Sequence, residues 1–152
     1  MLDLDRLRFI LPSLIADNPT YTASDLNESG FRFIYNQKGQ VIEKRVPSGQ
    51  SEYFVYDKYD RLVLTQNHHL RQSDPWLFVK YDKANRPVIT GLYTNANDRQ
   101  TVQTTVLNST DEKFESLDNS GPHGYTNDAF PGTATEYLVV NYYDTYENAF
   151  KN

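Results

Sequence analysis

Asp57 and Asp60 are the two carboxylates in this 152-residue chain most easily read as a catalytic pair. Glycoside hydrolysis needs two carboxyls roughly 5–9.5 Å apart, facing each other across a cleft. Asp57 and Asp60 instead stand at the start and the end of a turn-forming tetrad, where short acidic side chains serve the local backbone. A cleft uniting Asp74, Asp128 and Glu136 is the other arrangement that would make a glycan-acting enzyme. The histidines are His68, His69 and His123. Neighbouring histidines on a strand point to opposite faces, and no metal-ligand spacing is present. A metal site would need His69, His123 and an aspartate brought together by a folded-back loop; a solvated loop is the simpler reading. The oxygen-rich run Asn95-Ala96-Asn97-Asp98 lacks the twelve-residue calcium loop and its closing glutamate, and reads as a turn or helix cap. The Ser-Gly pairs at Ser29, Ser48 and Ser120 lack the glycine that precedes a serine nucleophile by two places. No phosphate-binding loop or dinucleotide fingerprint occurs. The expectation is a non-enzymatic chain with no catalytic residue, cofactor or metal.

Aromatic side chains are the remaining chemistry. The chain holds 12 Tyr, 8 Phe and 1 Trp, and Tyr53, Tyr59, Trp76, Tyr93 and Tyr125 are the candidates for stacking on sugar rings. The competing reading makes the same residues cross-strand pairs that hold neighbouring hairpins together.

Composition narrows the partners. A net charge of −5 gives no basic footprint for nucleic acid and argues against anionic membrane surfaces. No apolar run is long enough for a transmembrane helix. Without cysteine, neither disulfides nor thiolate metal sites arise. The opening residues include Asp3 and Asp5 and have no small-residue cleavage site, so they are not read as a signal peptide. Only 38% of residues are hydrophobic, which with the many tyrosines favours thin, half-exposed layers over a deep aliphatic core.

What must position these residues is a repeat. Three segments align without gaps: Phe33 to Ile42, Phe54 to Val63, and Val79 to Val88. Each carries a tyrosine (Tyr35, Tyr56, Tyr81) followed by Asn36, Asp57 or Asp82, and three places later by Gly39, Asp60 or Asn85. An Asn or Asp side chain opens a turn by bonding to backbone amides. Gly, Asn and Asp are the residues that tolerate a left-handed backbone. A type I turn followed by a left-handed residue closes a hairpin with a bulge. Each repeat is therefore expected to be a β-hairpin, with the tyrosine ending one strand and the apolar pair opening the next. Gly30, Pro47-Ser48-Gly49, the 67–75 stretch and Gly91 punctuate them. Pro87 must lie at an edge or beside the bulge, because it cannot donate to a ladder.

Outside the repeats, residues 1–29 are expected to be irregular, with a short strand or a helical turn around Phe9 to Leu11. Residues 30–94 hold the three hairpins. Residues 95–135 form a long loop containing a short helix near 97–107, capped by Asn97 or Asp98. Residues 136–152 hold a strand and a degenerate repeat at Tyr143-Asp144. The fold class is mainly β: consecutive antiparallel hairpins in a curved, open or partly closed sheet, with one or two short helices at most.

These segments resemble the YD repeats of RHS-type proteins, whose pattern is tyrosine, aspartate, two variable residues, glycine, arginine, leucine. Tyr56-Asp57 with Arg61-Leu62 fits it well; Tyr81-Asp82 with Arg86 has Pro87 in the leucine place. Tyr35 keeps Gly39 but has Asn36 and Gln40 for the aspartate and arginine. Linking segments such as Gly124-Tyr125-Thr126-Asn127 and Val140-Asn141-Tyr142-Tyr143-Asp144 resemble the RHS repeat-associated proteins of Bacteroides-type bacteria. The resemblance covers roughly residues 30 to 146. It implies an interior piece of a large exported or surface-associated parent, whose repeats form a shell around a variable C-terminal effector. Carbohydrate or cell-surface binding is the alternative it leaves open. An excised piece, with its end strands uncovered, is expected to dimerise.

Overall fold

The computed structural model of the chain describes residues 6–13, 17, 20, 22–47 and 49–143. Eight strands make one antiparallel sheet in chain order, each bonded to the next. They are β1 (Phe9–Ile10), β2 (Phe31–Tyr35), β3 (Val41–Arg45), β4 (Ser51–Tyr56), β5 (Leu62–Gln66), β6 (Pro75–Tyr81), β7 (Pro87–Thr94) and β8 (Glu136–Val140). Among the described residues three short α-helices accompany them, α1 (Ala23–Ser29), α2 (His68–Arg71) and α3 (Arg99–Asn108), with one 3-10 turn at Pro122–Gly124. The mainly-β architecture is thus the one expected, and the sheet is open, with β1 and β8 at its two ends. The chain divides into two compact units, Met1–Phe54 with Gln66–Ser73, and Val55–Thr65 with Asp74–Asn152.

In the first unit β2 and β3 pair from Arg32↔Arg45 to Tyr35↔Val41, with a bulge after Ile34. A turn at Val46 to Gly49 then leads into β4; Gly49 takes the left-handed φ of 83°. The helix α1 was not expected in an irregular segment. Its signal is a capping box. The Thr22 hydroxyl accepts from the Asp25 amide at 3.3 Å, and the Asp25 carboxylate accepts from the Thr22 amide at 2.6 Å. The 67–75 stretch likewise contains α2, opened by the Asn67 side chain, which accepts from the Leu70 amide at 3.0 Å. His68 and His69 therefore sit on one helical turn, rings edge to face at 5.9 Å, and not on a strand or open loop.

The second unit has the larger core, formed by Val55, Leu64, Trp76, Phe78, Val88, Ile89, Val102 and Val106. Along β6 burial alternates strictly, with Trp76, Phe78 and Lys80 inward, as the two-residue period of a strand requires. Pro87 opens β7 at the bulge beside Tyr81, where its missing amide costs no ladder bond. Asp98 is the residue that caps α3, its carboxylate accepting from the Gln100 and Thr101 amides. The 108–131 stretch is irregular but folded down. Isolated bridges tie Asp82 to Glu115, Glu112 to Ala129 and Leu117 to Tyr125.

Candidate functional site

The three repeat turns are built alike. In each, the first turn residue donates its amide to the fifth residue's carbonyl: Asn36 to Gln40 at 3.0 Å, Asp57 to Arg61 at 2.9 Å, Asp82 to Arg86 at 3.0 Å. The fourth residue's amide returns to the first residue's carbonyl: Gly39 to Asn36, Asp60 to Asp57, Asn85 to Asp82. The fourth residue is left-handed each time, with φ of 86°, 66° and 59°. The opening side chain accepts from two amides inside the turn: Asn36 from Lys38 and Gln40, Asp57 from Tyr59 and Arg61, Asp82 from Ala84 and Arg86.

The second oxygen of the opening aspartate binds the repeat's arginine. Arg61 Nε donates to Asp57 Oδ2 and Arg86 Nε to Asp82 Oδ2, both at 2.7 Å. The first repeat makes a matched exchange: Asn36 Nδ2 donates to Gln40 Oε1 at 2.7 Å. Its departure from the aspartate–arginine pattern is a neutral copy of the same contact. Asp82 shows the electrostatic consequence. Burial pushes its carboxyl up, but bonds from the Arg86 amide and guanidinium and the Ala84 amide outweigh burial and hold it below its ordinary value.

A further relation links a tyrosine to an arginine earlier in the chain. The Tyr81 hydroxyl donates to the Leu62 carbonyl at 2.7 Å, and the guanidinium of Arg61 lies 4.9 Å from the Tyr81 ring centre. The Tyr143 hydroxyl donates to the Pro87 carbonyl at 3.2 Å, with Arg86 4.4 Å from its ring. The Tyr35 hydroxyl donates to the Leu7 carbonyl at 2.6 Å, with Arg6 5.7 Å from its ring. In each case an arginine stacks on a later tyrosine, and that tyrosine bonds to the carbonyl of the residue after the arginine. Arg6-Leu7 thereby takes the part that Arg61-Leu62 takes in the second repeat, a role not read from the sequence. The signal was there, since Asp5-Arg6-Leu7 repeats the letters of Asp60-Arg61-Leu62. The arginine also touches the fourth residue of the later turn: Arg61 Nη1 donates to Asn85 Oδ1 at 3.3 Å, and the Arg6 guanidinium lies against Gly39.

The five aromatic candidates do not form a stacking platform. Trp76 is 0% exposed and sends its indole N–H to the Asn95 carbonyl at 3.1 Å. Tyr125 is 3% exposed, bonded to the Asn141 carbonyl and stacked on Tyr142. Tyr93 stands opposite Trp76 in the ladder and meets Phe130 edge to face. Tyr53 is half-buried with Arg71 over its ring at 4.3 Å. Tyr59 is 43% exposed, and Lys113, Arg61 and Lys58 approach its ring. The expected solvent-facing set thus reduces to Tyr59. Trp76 and Tyr125 are buried because each polar tip finds a backbone carbonyl, which lets the ring enter the core.

Several of the candidate catalytic and metal residues serve the local structure. Asp57 binds Arg61, Asp98 caps α3, and the Asn95 side chain accepts from the Asn97 amide. Asp74 is left-handed at φ 67°, its carbonyl accepting from the Asn95 amide. His123 packs on Tyr137, ring centres 4.7 Å apart. Among the described residues no three His, Asp or Glu side chains come together as a metal group. The concavity beside Asp57, Tyr59 and Phe130 has a volume of about 30 Å³, room for about one or two waters.

One polar cluster was not foreseen. Lys80 and Glu115 are each 1% exposed and form an ion pair at 2.7 Å. Lys80 Nζ also donates to Asn127 Oδ1 at 2.7 Å. Glu115 further accepts from the Thr126 hydroxyl at 2.6 Å and from the Asp128 and Ala129 amides at 3.1 Å each. This network fastens the 108–131 stretch to β6.

Comparison with models of known protein families gives no match, and comparison with curated proteins gives none. Among the described residues no helix is long and apolar enough to cross a membrane.

Proposed function

We infer that the chain is a structural segment of β-hairpin repeats from a larger RHS/YD-repeat protein, exported or surface-borne, that builds a shell or scaffold around a variable C-terminal effector. The observation that carries this reading is the recurrent tyrosine–arginine contact. A tyrosine binds, by ring and hydroxyl, an arginine and the carbonyl that follows it earlier in the chain, in three places, one of which, Tyr81 on Arg61 and Leu62, joins two complete hairpins. Such a contact holds neighbours in line and leaves each hairpin dependent on the next, as in other repeat architectures. The end strands agree with it. Phe9 and Ile10 on β1, and Leu138 and Val139 on β8, are exposed apolar residues where a further strand would pack. The principal partner is therefore the rest of the parent chain, and the isolated segment self-associates through those strands.

The test is the reading frame that encodes the segment. Further tyrosine-aspartate repeats on both flanks and a divergent C-terminal region are expected. A frame holding no other repeat of this kind would sink the reading. Sedimentation of the isolated segment is expected to show dimers or larger species at high concentration.

A further inference from the structure

The residue before each repeat tyrosine is Ile34, Val55 or Lys80. Ile34 is half-buried and Val55 fully buried, and Lys80 places at the equivalent position an amine as enclosed as Val55. A buried ion pair generally does no better than a well-packed apolar pair. Holding the loop in place does not by itself explain a lysine here.

We propose that Lys80 and Asn127 become joined by an intramolecular amide bond, with Glu115 as the proton carrier and ammonia as the leaving group. Three features of the cluster place the reactants. Lys80 Nζ lies 2.7 Å from Asn127 Oδ1; with a C=O bond of about 1.2 Å, the amide carbon is at most about 3.9 Å away, close to near-attack range. Glu115 Oε1 touches the same Nζ at 2.7 Å, and Glu115 holds residues 126, 128 and 129 on both sides of Asn127. The nucleophile is dry, with no side-chain exposure. The leaving nitrogen is not: Asn127 Nδ2 donates to the Gly132 carbonyl at 2.7 Å at the exposed side of the cluster. Burial favours the neutral amine by pushing Lys80 below the usual ammonium value, against the bond and charge of Glu115.

The step balances without a co-reactant. The Lys80 ammonium gives a proton to Glu115, and the freed electron pair attacks Asn127 Cγ, pushing the carbonyl pair onto Oδ1. The attacking nitrogen loses a second proton, and Nδ2 gains the protons that Glu115 relays. The Cγ–Nδ2 bond breaks as the carbonyl re-forms. One Cγ–Nζ bond replaces one Cγ–Nδ2 bond, the nitrogen leaves as ammonium, and Glu115 returns to carboxylate. The product pins the 108–131 stretch to β6 covalently.

The test is the intact mass of the full chain, purified natively and shown to be folded by blue-shifted emission from the buried Trp76. The expected mass is lower than the sequence mass by one ammonia, and digestion yields a branched peptide joining the segments of Lys80 and Asn127. Asn127→Ala, which keeps the Lys80–Glu115 pair, and Lys80→Arg both restore the unmodified mass. A folded chain at full sequence mass after prolonged incubation overturns the proposal. So does an ammonia deficit confined to one linear peptide, since that marks an internal succinimide.

Discussion

The Tyr81 hydroxyl binds the Leu62 carbonyl at 2.7 Å while the Tyr81 ring carries the Arg61 guanidinium. One side chain thus reads two consecutive residues of the preceding hairpin. The geometry explains why tyrosine and not phenylalanine ends β6, and why arginine precedes Leu62. Burial raises the Tyr81 hydroxyl above its ordinary value, so it stays a donor through the physiological range.

Tyr81→Phe deletes the hydroxyl bond and keeps the stacked ring. It should destabilise the fold by about 0.5–1.5 kcal/mol, the net worth of one such bond. Arg61→Ala removes the stack and the Asp57 contact as well, and should cost more. Because the two residues share the ring–guanidinium contact, the effects of Tyr81→Ala, which removes the ring, and Arg61→Ala should be non-additive in a double-mutant cycle followed by urea denaturation. Strict additivity would show that the ring and the guanidinium do not cooperate.

The turn chemistry predicts which exchanges a repeat tolerates. Asp82→Asn alone leaves Arg86 without its carboxylate, whereas Asp82→Asn with Arg86→Gln rebuilds the neutral pair seen at Asn36 and Gln40. The double variant should recover part of the loss of the single one. Acid separates the two forms of the turn. Asp82 has a depressed folded value, so its contribution is complete above its ordinary value of 3.8 and is lost as pH falls through the folded value. Urea midpoints should hold steady down to about pH 5 and then decline, with a shallower decline in the double variant. An identical acid slope in both would exclude Asp82 as a source of the pH dependence.

The hairpins were legible from sequence because their determinants are local. Asn36, Asp57 and Asp82 each bond to amides two and four residues on, and Gly39, Asp60 and Asn85 each meet one backbone requirement. Trp76 and Tyr125 were not legible as core residues, because the carbonyls that satisfy them, at Asn95 and Asn141, lie 19 and 16 residues away. Arg6 was hidden for a similar reason. Its tyrosine lies in a later hairpin, and no tyrosine-aspartate pair precedes Arg6 in the sequence to mark it. Lys80 carried a visible signal, a charge in a column of Ile34 and Val55, but Glu115 is far along the chain in a stretch without periodicity.

Gly91 sets the approach of β8 to β7. A Cβ there would collide with the Glu136 carbonyl oxygen and press on the Phe78 ring. Gly91→Ala should therefore cost about 1–3 kcal/mol, as overpacking does. Amide exchange should rise first along Glu136 to Val140, the strand displaced. A variant as stable as the parent chain, with unchanged exchange in β8, would mean that the two strands can separate freely at this point.

Asn85 combines two duties that substitution can part. Its backbone is left-handed at φ 59°, and its side chain accepts from Arg61. Alanine cannot hold that backbone without a penalty of about 1–2 kcal/mol, and it loses the arginine contact too. Glycine adopts the conformation freely and loses only the contact, which is long and solvent-exposed at 3.3 Å. Asn85→Ala should thus be clearly destabilised in urea titration, while Asn85→Gly should remain within about 0.5 kcal/mol of the parent, the usual range for surface changes. If glycine proves as damaging as alanine, the bond from Arg61 matters more than the backbone. The link between successive hairpins would then outweigh the turn itself in fixing the repeat.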